Sequence, residues 1–202
     1  LAGLRVEHHE VLAGLHHRAG DYAGAVDLYR AAILRTGLAP TDPALLAYPR
    51  LVEGLSGAQG MAGDHRAELV AARRLVEAYP EMPRLRHGYA LALMHEGALD
   101  AAREQLEVAA PRLPADSPAH TLLASWPEVE AAARVLRGEA PPAARARALA
   151  RLGRRADAEV LWEQRFAAPD ATPPEQAEAA QFLVLFGRAE RLPSHVEAAR
   201  AR

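Results

Sequence analysis

The sequence predicts an all-α protein, a right-handed superhelical solenoid of antiparallel helix pairs with about ten to eleven helices. Composition is the first observation behind this fold class: the 202 residues include 47 alanines, 28 leucines and one isoleucine, Ile33. Because Ala, Leu, Arg and Glu lose little free energy on entering a helix, a sheet protein is excluded. The second observation is an apolar stripe at helical spacing, and the third is a glycine turn that returns along the chain.

The glycine turns order the predicted helices into pairs. Turns begin at Gly20, Gly63, Gly97, Gly153 and Gly187, at successive offsets of 43, 34, 56 and 34 residues. An interval of 34 residues is the period of a helix–turn–helix array. Apolar residues recur at helical spacing on both sides of each turn, and most of the prolines stand between the predicted helices.

Particular residue types return at fixed places around these turns. Residues 6–39 carry the fullest set, Leu12, Ala13, Gly20, Asp21, Tyr22, Ala25, Tyr29 and Ala32. Residues 83–116 follow with Tyr89, Ala90, Gly97, Ala102, Leu106, Ala109 and Pro114. In these residues the chain resembles the tetratricopeptide repeat family, whose unit is two antiparallel helices with small residues at their close approach.

The resemblance implies one helical-repeat array over residues 1–202. A weaker repeat spans residues 49–82, where Glu68 stands in place of the family's alanine. Residues 139–172 keep Gly153, Ala158 and Trp162 but shorten the first helix. Residues 173–202 form an incomplete last repeat, ending in a predicted helix over Val196–Arg202, and residues 117–138 are an irregular helical insertion.

The resemblance also implies where a partner binds, because such arrays present a concave groove lined by the first helix of each pair. The expected groove positions are Glu10, His17, Arg18, Arg50, Glu53, Arg84, His87, Leu91, Met94, His95, Arg147 and Arg151. Arginines and histidines outnumber the carboxylates, so a peptide with acidic or carboxyl-terminal groups is the expected ligand. A solvated charged face without a steady ligand is the alternative.

A glycine series stands on the first helix of the second repeat. Gly54, Gly57, Gly60 and Gly63 recur every three residues, and the first three fall on groove positions. Each glycine inside a helix costs about 1 kcal/mol relative to alanine. One hypothesis is that a partner's backbone or helix packs against these glycines. The alternatives are a short or frayed helix, or a neighbouring helix of the same chain packed there.

No metal site, cofactor or catalytic centre is predicted. The chain has no cysteine and no lysine, and it shows no nucleophile–base pair or phosphate-binding loop. Among the first histidines, His9 and His16 are seven residues apart. That spacing is about 10 Å along a helix, too far for two ligands that each lie about 2.1 Å from one zinc ion. We therefore expect that the protein is not an enzyme.

We predict a non-catalytic protein–protein interaction scaffold that binds a peptide or helix of a partner protein, alone or as a module of a larger protein. The alternative is a peptide-sensing regulatory domain whose superhelix changes pitch when its ligand binds. Nucleic acid is not expected, because the net charge is −2 and no aromatic residue interleaves the arginines of Ala143–Arg155.

The remaining expectations concern location. No apolar run is long enough to span a membrane. The absence of lysine and asparagine indicates a GC-rich, bacterial genome, and we expect a cytoplasmic protein, with the periplasm left open. The oligomeric state is also left open.

Overall fold

The computed structural model describes residues 5–186, and within them the chain is helical without strands. Eleven α-helices lie in this part of the chain. Their bounds are α1 Val6–Arg18, α2 Tyr22–Arg35, α3 Pro49–Ala62, α4 His65–Ala78, α5 Pro83–His95, α6 Leu99–Ala109, α7 Pro118–Ala124, α8 Trp126–Arg137, α9 Pro142–Arg151, α10 Arg155–Ala167 and α11 Pro173–Phe186. Short 3-10 helices cover Pro43–Ala47 and Ala110–Arg112.

The helix ends follow from proline, glycine and aspartate. A proline occupies the first helical position of α3 and α5, where the missing N–H has no intrahelical partner in any case. The turns inside the pairs carry Gly20, Gly63, Gly97 and Gly153 at φ values from 78° to 93°, a backbone region that favours glycine. Asp21 and Asp64 then cap α2 and α4 by accepting hydrogen bonds from the backbone N–H of Gly24 and Ala67.

The chain divides into two compact units with the boundary between Pro127 and Glu128. We call them unit 1 and unit 2. In unit 1 each helix from α1 to α6 packs against the next. Alanines that are fully buried, such as Ala13, Ala25 and Ala32, lie in the core with Ile33 and Leu51. Side chains this small let neighbouring helix axes approach closely.

The connection between α2 and α3 is held by two side chains of the second repeat. The Arg74 guanidinium donates to the carbonyl oxygens of Pro40, Thr41 and Asp42 at 3.0–3.2 Å. The Tyr79 hydroxyl donates to the Leu46 carbonyl oxygen at 2.5 Å. These bonds fix the long interval between the first two turns as an ordered segment of unit 1.

Unit 2 has its own core around Trp162. The α10 helix packs against both α9 and α11. The core also contains Phe166, Ala158 and Leu183, and the Phe182 ring lies 6.3 Å from the Trp162 ring. Aromatic bulk replaces part of the alanine packing of unit 1.

The described residues confirm the predicted all-α class and a helical solenoid of tetratricopeptide type, with successive helices packed in chain order from α1 to α7 and from α9 to α11. The predicted turn at Gly187 and the predicted helix over Val196–Arg202 lie outside the described residues. Over the described ranges, none of the helices combines the length and the apolarity needed to cross a bilayer.

Candidate functional site

A cavity of about 240 Å³ lies among α3, α4 and α5 of unit 1. Five of the predicted groove residues line it together, namely Glu53, Gly57, Arg84, His87 and Leu91. The rest of the lining is Ser56, Glu68, Ala72, Leu75, Leu85 and Gly88. The cavity therefore combines an apolar wall with a small set of charged and polar groups, which is the usual make-up of a ligand site.

An exposed ion pair borders this cavity. The Arg84 guanidinium binds the Glu53 carboxylate at 2.5 Å, and the Arg84 side chain is 61% exposed. Exposed pairs of this kind contribute about 0–1 kcal/mol to stability. Breaking this pair therefore costs the fold little free energy.

His87 is the polar group of the cavity without an internal partner. Its Nε2 atom is buried and has no hydrogen-bond partner within the described residues. Burial lowers the pKa of His87 below its ordinary value, because removal from water disfavours the charged imidazolium. The Nε2 atom of the neutral ring therefore lacks a hydrogen-bond partner, and buried polar atoms without one are uncommon in folded proteins.

The glycines of α3 have different surroundings. A Cβ at Gly54 would overlap the buried Tyr29 ring, and a Cβ at Gly60 would overlap the Glu68 carboxylate. The hypothesis that a partner packs at Gly54 and Gly60 is therefore wrong, since side chains of this chain fill both places. Gly57 is the exception: apart from its chain neighbours and the backbone of its own helix, no heavy atom of the described residues lies within 4 Å of its Cβ position.

Two further predicted groove residues are not open to a partner. Met94 is 3% exposed and His95 is 7% exposed, so both belong to the interior. Both stand in the last turn of α5, and the contact of His95 with Glu68 shows that α4 covers this turn. Helical spacing predicted which residues share one face of α5. It did not predict that α4 would bury the last turn of that face.

His95 belongs to a buried polar cluster that the sequence analysis missed. The His95 Nδ1 atom lies 2.7 Å from Glu68 Oε2, and His65 Nδ1 lies 3.7 Å from the same oxygen. Burial alone raises the pKa of Glu68, but hydrogen bonds and positive charge from His65 and His95 outweigh it, so the pKa lies below its ordinary value. The ligand atoms of these three residues lie within 4.8 Å of one another, close enough for all three to reach one metal ion.

Two sequence signals pointed to this cluster. Glu68 departs from the alanine of the repeat pattern, and Gly60 stands on the preceding helix where the carboxylate needs room. The prediction of no metal site rested on the spacing of the first histidines instead. Of those, His9 is buried with its Nδ1 atom 3.0 Å from the Arg5 carbonyl oxygen, and His16 pairs with Asp21 at 2.6 Å.

The remaining predicted residues of unit 1 do not line the cavity. The His17 ring packs edge-on against Tyr22 at 5.2 Å, and burial, then the nearby Arg18 charge, lowers the pKa of His17. Burial, followed by the charges of Glu10 and Glu53, raises the pKa of Tyr29. Arg18 and Arg50 are exposed.

Arg147 and Arg151 belong to unit 2 and border a separate cavity of about 360 Å³. Trp162, Phe182 and Phe186 supply its apolar lining. Arg147 binds the Glu178 carboxylate through both Nε, at 2.6 Å, and Nη2. That bidentate pair raises the pKa of Arg147.

The comparisons with known proteins agree with the resemblance seen in the sequence. The tetratricopeptide repeat family model matches residues 62–125, which covers α4 to α7. Among curated proteins, none matches this sequence. The family match confirms the resemblance over that stretch and supports a protein-interaction scaffold with a protein partner, since the family is generally a non-catalytic repeat scaffold.

Proposed function

We propose that unit 1 binds an extended peptide segment of a partner protein, with a carboxylate of that peptide in the cavity among α3, α4 and α5. The observation that carries the proposal is the convergence of Glu53, Gly57, Arg84 and His87 on one cavity. Its size supports this ligand class. Pockets for drug-sized molecules measure about 300–1,000 Å³, so a cavity of about 240 Å³ suits one side chain or a chain terminus.

Each polar group has a role in this proposal. Arg84 exchanges Glu53 for the carboxylate of the peptide and binds it through two parallel hydrogen bonds. The Nε2 atom of His87, which has no hydrogen-bond partner within the described residues, forms a hydrogen bond with the peptide. The open space at Gly57 lets the peptide backbone approach α3, while Leu85 and Leu91 receive an apolar side chain. No bond of the peptide is broken, so the role is that of a non-catalytic scaffold.

The basic stretch of unit 2 supports a protein partner rather than nucleic acid. Arg147 binds Glu178, Arg154 binds Asp157 at 2.5 Å, and Arg145 donates to the Leu136 carbonyl oxygen. The Arg155 guanidinium lies 4.9 Å from the centre of the Phe186 ring. Because four of the five arginines of Ala143–Arg155 already have partners in unit 2, this stretch offers little free cationic surface to a phosphate backbone.

Peptide selection on the full chain tests the proposal. A random peptide library is panned against the wild type, and the selected peptides are measured by calorimetry with free and with amidated carboxyl termini. We expect Arg84→Ala to weaken binding by about 10-fold or more, the usual effect of losing a hydrogen bond to a charged group.

Arg73→Ala is the matched control, because Arg73 is also an exposed arginine paired with a glutamate, at 2.9 Å, but lies outside the cavity. Binding that is equal in the two arginine variants would overturn the proposal. Preserved helical circular dichroism in both variants keeps the comparison valid.

A further inference from the structure

The side chains of His65, Glu68 and His95 form a cluster of ligand-type groups that have no role in the proposed peptide binding. Two imidazoles and a carboxylate come from two neighbouring helices, α4 and α5, and all three side chains are buried. The imidazole rings of His65 and His95 are 5.0 Å apart between centroids. Both rings therefore converge on the one carboxylate inside the helix pair.

We propose that His65, Glu68 and His95 form a binding site for one divalent transition metal ion of the zinc class. Two histidines and one glutamate are a ligand set that zinc accepts, with a further position left for water or another ligand. The inference concerns this cluster alone and does not depend on peptide binding.

The geometry fits this ion. Ligands about 2.1 Å from a tetrahedral zinc ion lie about 3.4 Å from one another. The separations of 2.7 Å and 3.7 Å to Glu68 Oε2 fall on either side of that value. All the ligand atoms lie within 4.8 Å of one another, and rotation of the imidazole rings would bring them to the spacing that the ion requires.

The surrounding chain makes room for the carboxylate and orients it. Gly60 has no side chain, and the Glu68 carboxylate occupies the space that a Cβ would take. The Ser56 hydroxyl donates to the Glu68 carbonyl oxygen at 3.1 Å and so ties α3 to the turn of α4 that bears the ligand. Supporting contacts of this kind fix the orientation of metal ligands.

An entry path is also present, because Glu68 lines the cavity of unit 1 together with His87. A metal ion could reach the cluster from this cavity at Glu68. It would also join α4 of the second predicted repeat to α5 of the third.

Zinc titration of the chelator-treated full chain by calorimetry tests the site. We expect one Zn²⁺ per chain for the wild type. For Glu68→Gln and for His95→Ala we expect the zinc affinity to fall by at least about 100-fold. Glu68→Gln is the sharpest variant, because glutamine keeps the shape and a hydrogen bond to His95 but loses the anionic ligand. A cluster that is only hydrogen-bonded would tolerate it.

Two controls remove imidazoles outside the cluster, His16→Ala and His120→Ala, and both are expected to bind zinc as the wild type does. The proposal is overturned if the wild type shows no saturable zinc binding, if Glu68→Gln binds zinc unchanged, or if a control variant loses the ion instead.

Spectroscopy on the wild type guards against a variant that does not fold. Co²⁺ replaces Zn²⁺, and we expect the intense visible absorption of a four- or five-coordinate ion, with two imidazole ligands seen by X-ray absorption. The spectrum of a six-coordinate aqueous ion would contradict the proposal in the same way as an unchanged Glu68→Gln.

Discussion

At the scale of single residues, the space around a side chain decides its role. Gly54, Gly57 and Gly60 are equivalent in the sequence, but Tyr29 and Glu68 fill the space beside two of them. Helical spacing predicted the stripe, while the side chain that fills each gap comes from another helix, Tyr29 from α2 and Glu68 from α4. For the same reason the sequence did not reveal that His95 meets Glu68.

The glycines give the first prediction. Gly57→Ala is expected to raise the free energy of unfolding by about 1 kcal/mol, because alanine favours the helix and its methyl group meets no other part of the described chain. Gly54→Ala is expected to lower it by about 1–3 kcal/mol through overlap with the buried Tyr29 ring. Urea unfolding of both variants checks this, and a stabilised Gly54→Ala would contradict the packing described here.

The second prediction concerns the stability of the fold at low pH. The Arg165 guanidinium, followed by the backbone N–H and hydroxyl of Thr172, lowers the pKa of Glu175 to about 2 from 4.5. A carboxyl group whose pKa is lower in the folded state stabilises the fold above its unfolded pKa. That contribution is lost as the pH falls from about 4.5 to about 2.

The difference in free energy of unfolding between the wild type and Glu175→Gln is therefore expected to be largest at neutral pH and to shrink across that range. Unfolding curves at several pH values measure the difference, and NMR titration of the Glu175 carboxyl group gives its pKa directly. A difference that stays constant down to pH about 2 would show that the contact with Arg165 does not hold in solution.

At the scale of elements, the turns repeat one backbone shape with different capping residues. The residues that precede α2, α4, α6 and α10 are Asp21, Asp64, Ala98 and Arg154, with φ from −87° to −77° and ψ from 61° to 74°. Only the two aspartates among these four supply a side-chain cap. The positions of the turns were thus predictable from glycine, whereas the strength of each cap depends on one residue.

Ala98→Asp is expected to stabilise unit 1 by about 0.5–2 kcal/mol, because the aspartate oxygen would accept a hydrogen bond from the first turn of α6. Asp64→Ala is the reciprocal change and is expected to destabilise by a similar amount. Thermal unfolding of the two variants measures both effects. Equal melting temperatures for Ala98→Asp and the wild type would contradict the shared turn geometry.

At the scale of the whole molecule, the predicted groove residues fall into two compact units. Glu53, Gly57, Arg84 and His87 share the cavity of unit 1, while Arg147 and Arg151 border the cavity of unit 2. The repeat pattern predicted the helices and their order well, since it records local spacing. It could not predict which first-helix residues share a cavity, because that depends on the packing of three helices at once.

The scaffold proposal and the regulatory alternative differ in how the whole chain responds to a ligand. A scaffold is expected to keep its radius of gyration, measured by small-angle X-ray scattering, when a selected peptide saturates it. A regulatory domain would change that radius as its superhelix changes pitch. A reproducible change on peptide addition would therefore favour the alternative over the scaffold.

The most direct test of the account locates a bound peptide on the chain. Backbone amide NMR signals of the isotope-labelled protein are followed while a selected peptide is added. We predict that the largest shifts fall on α3 from Glu53 to Gly57 and on α5 from Arg84 to Leu91, and that Arg84→Ala raises the peptide concentration needed to produce them by about 10-fold or more. Shifts confined to α1, α2 and α6, or a binding curve unchanged in Arg84→Ala, would contradict binding at the cavity of unit 1.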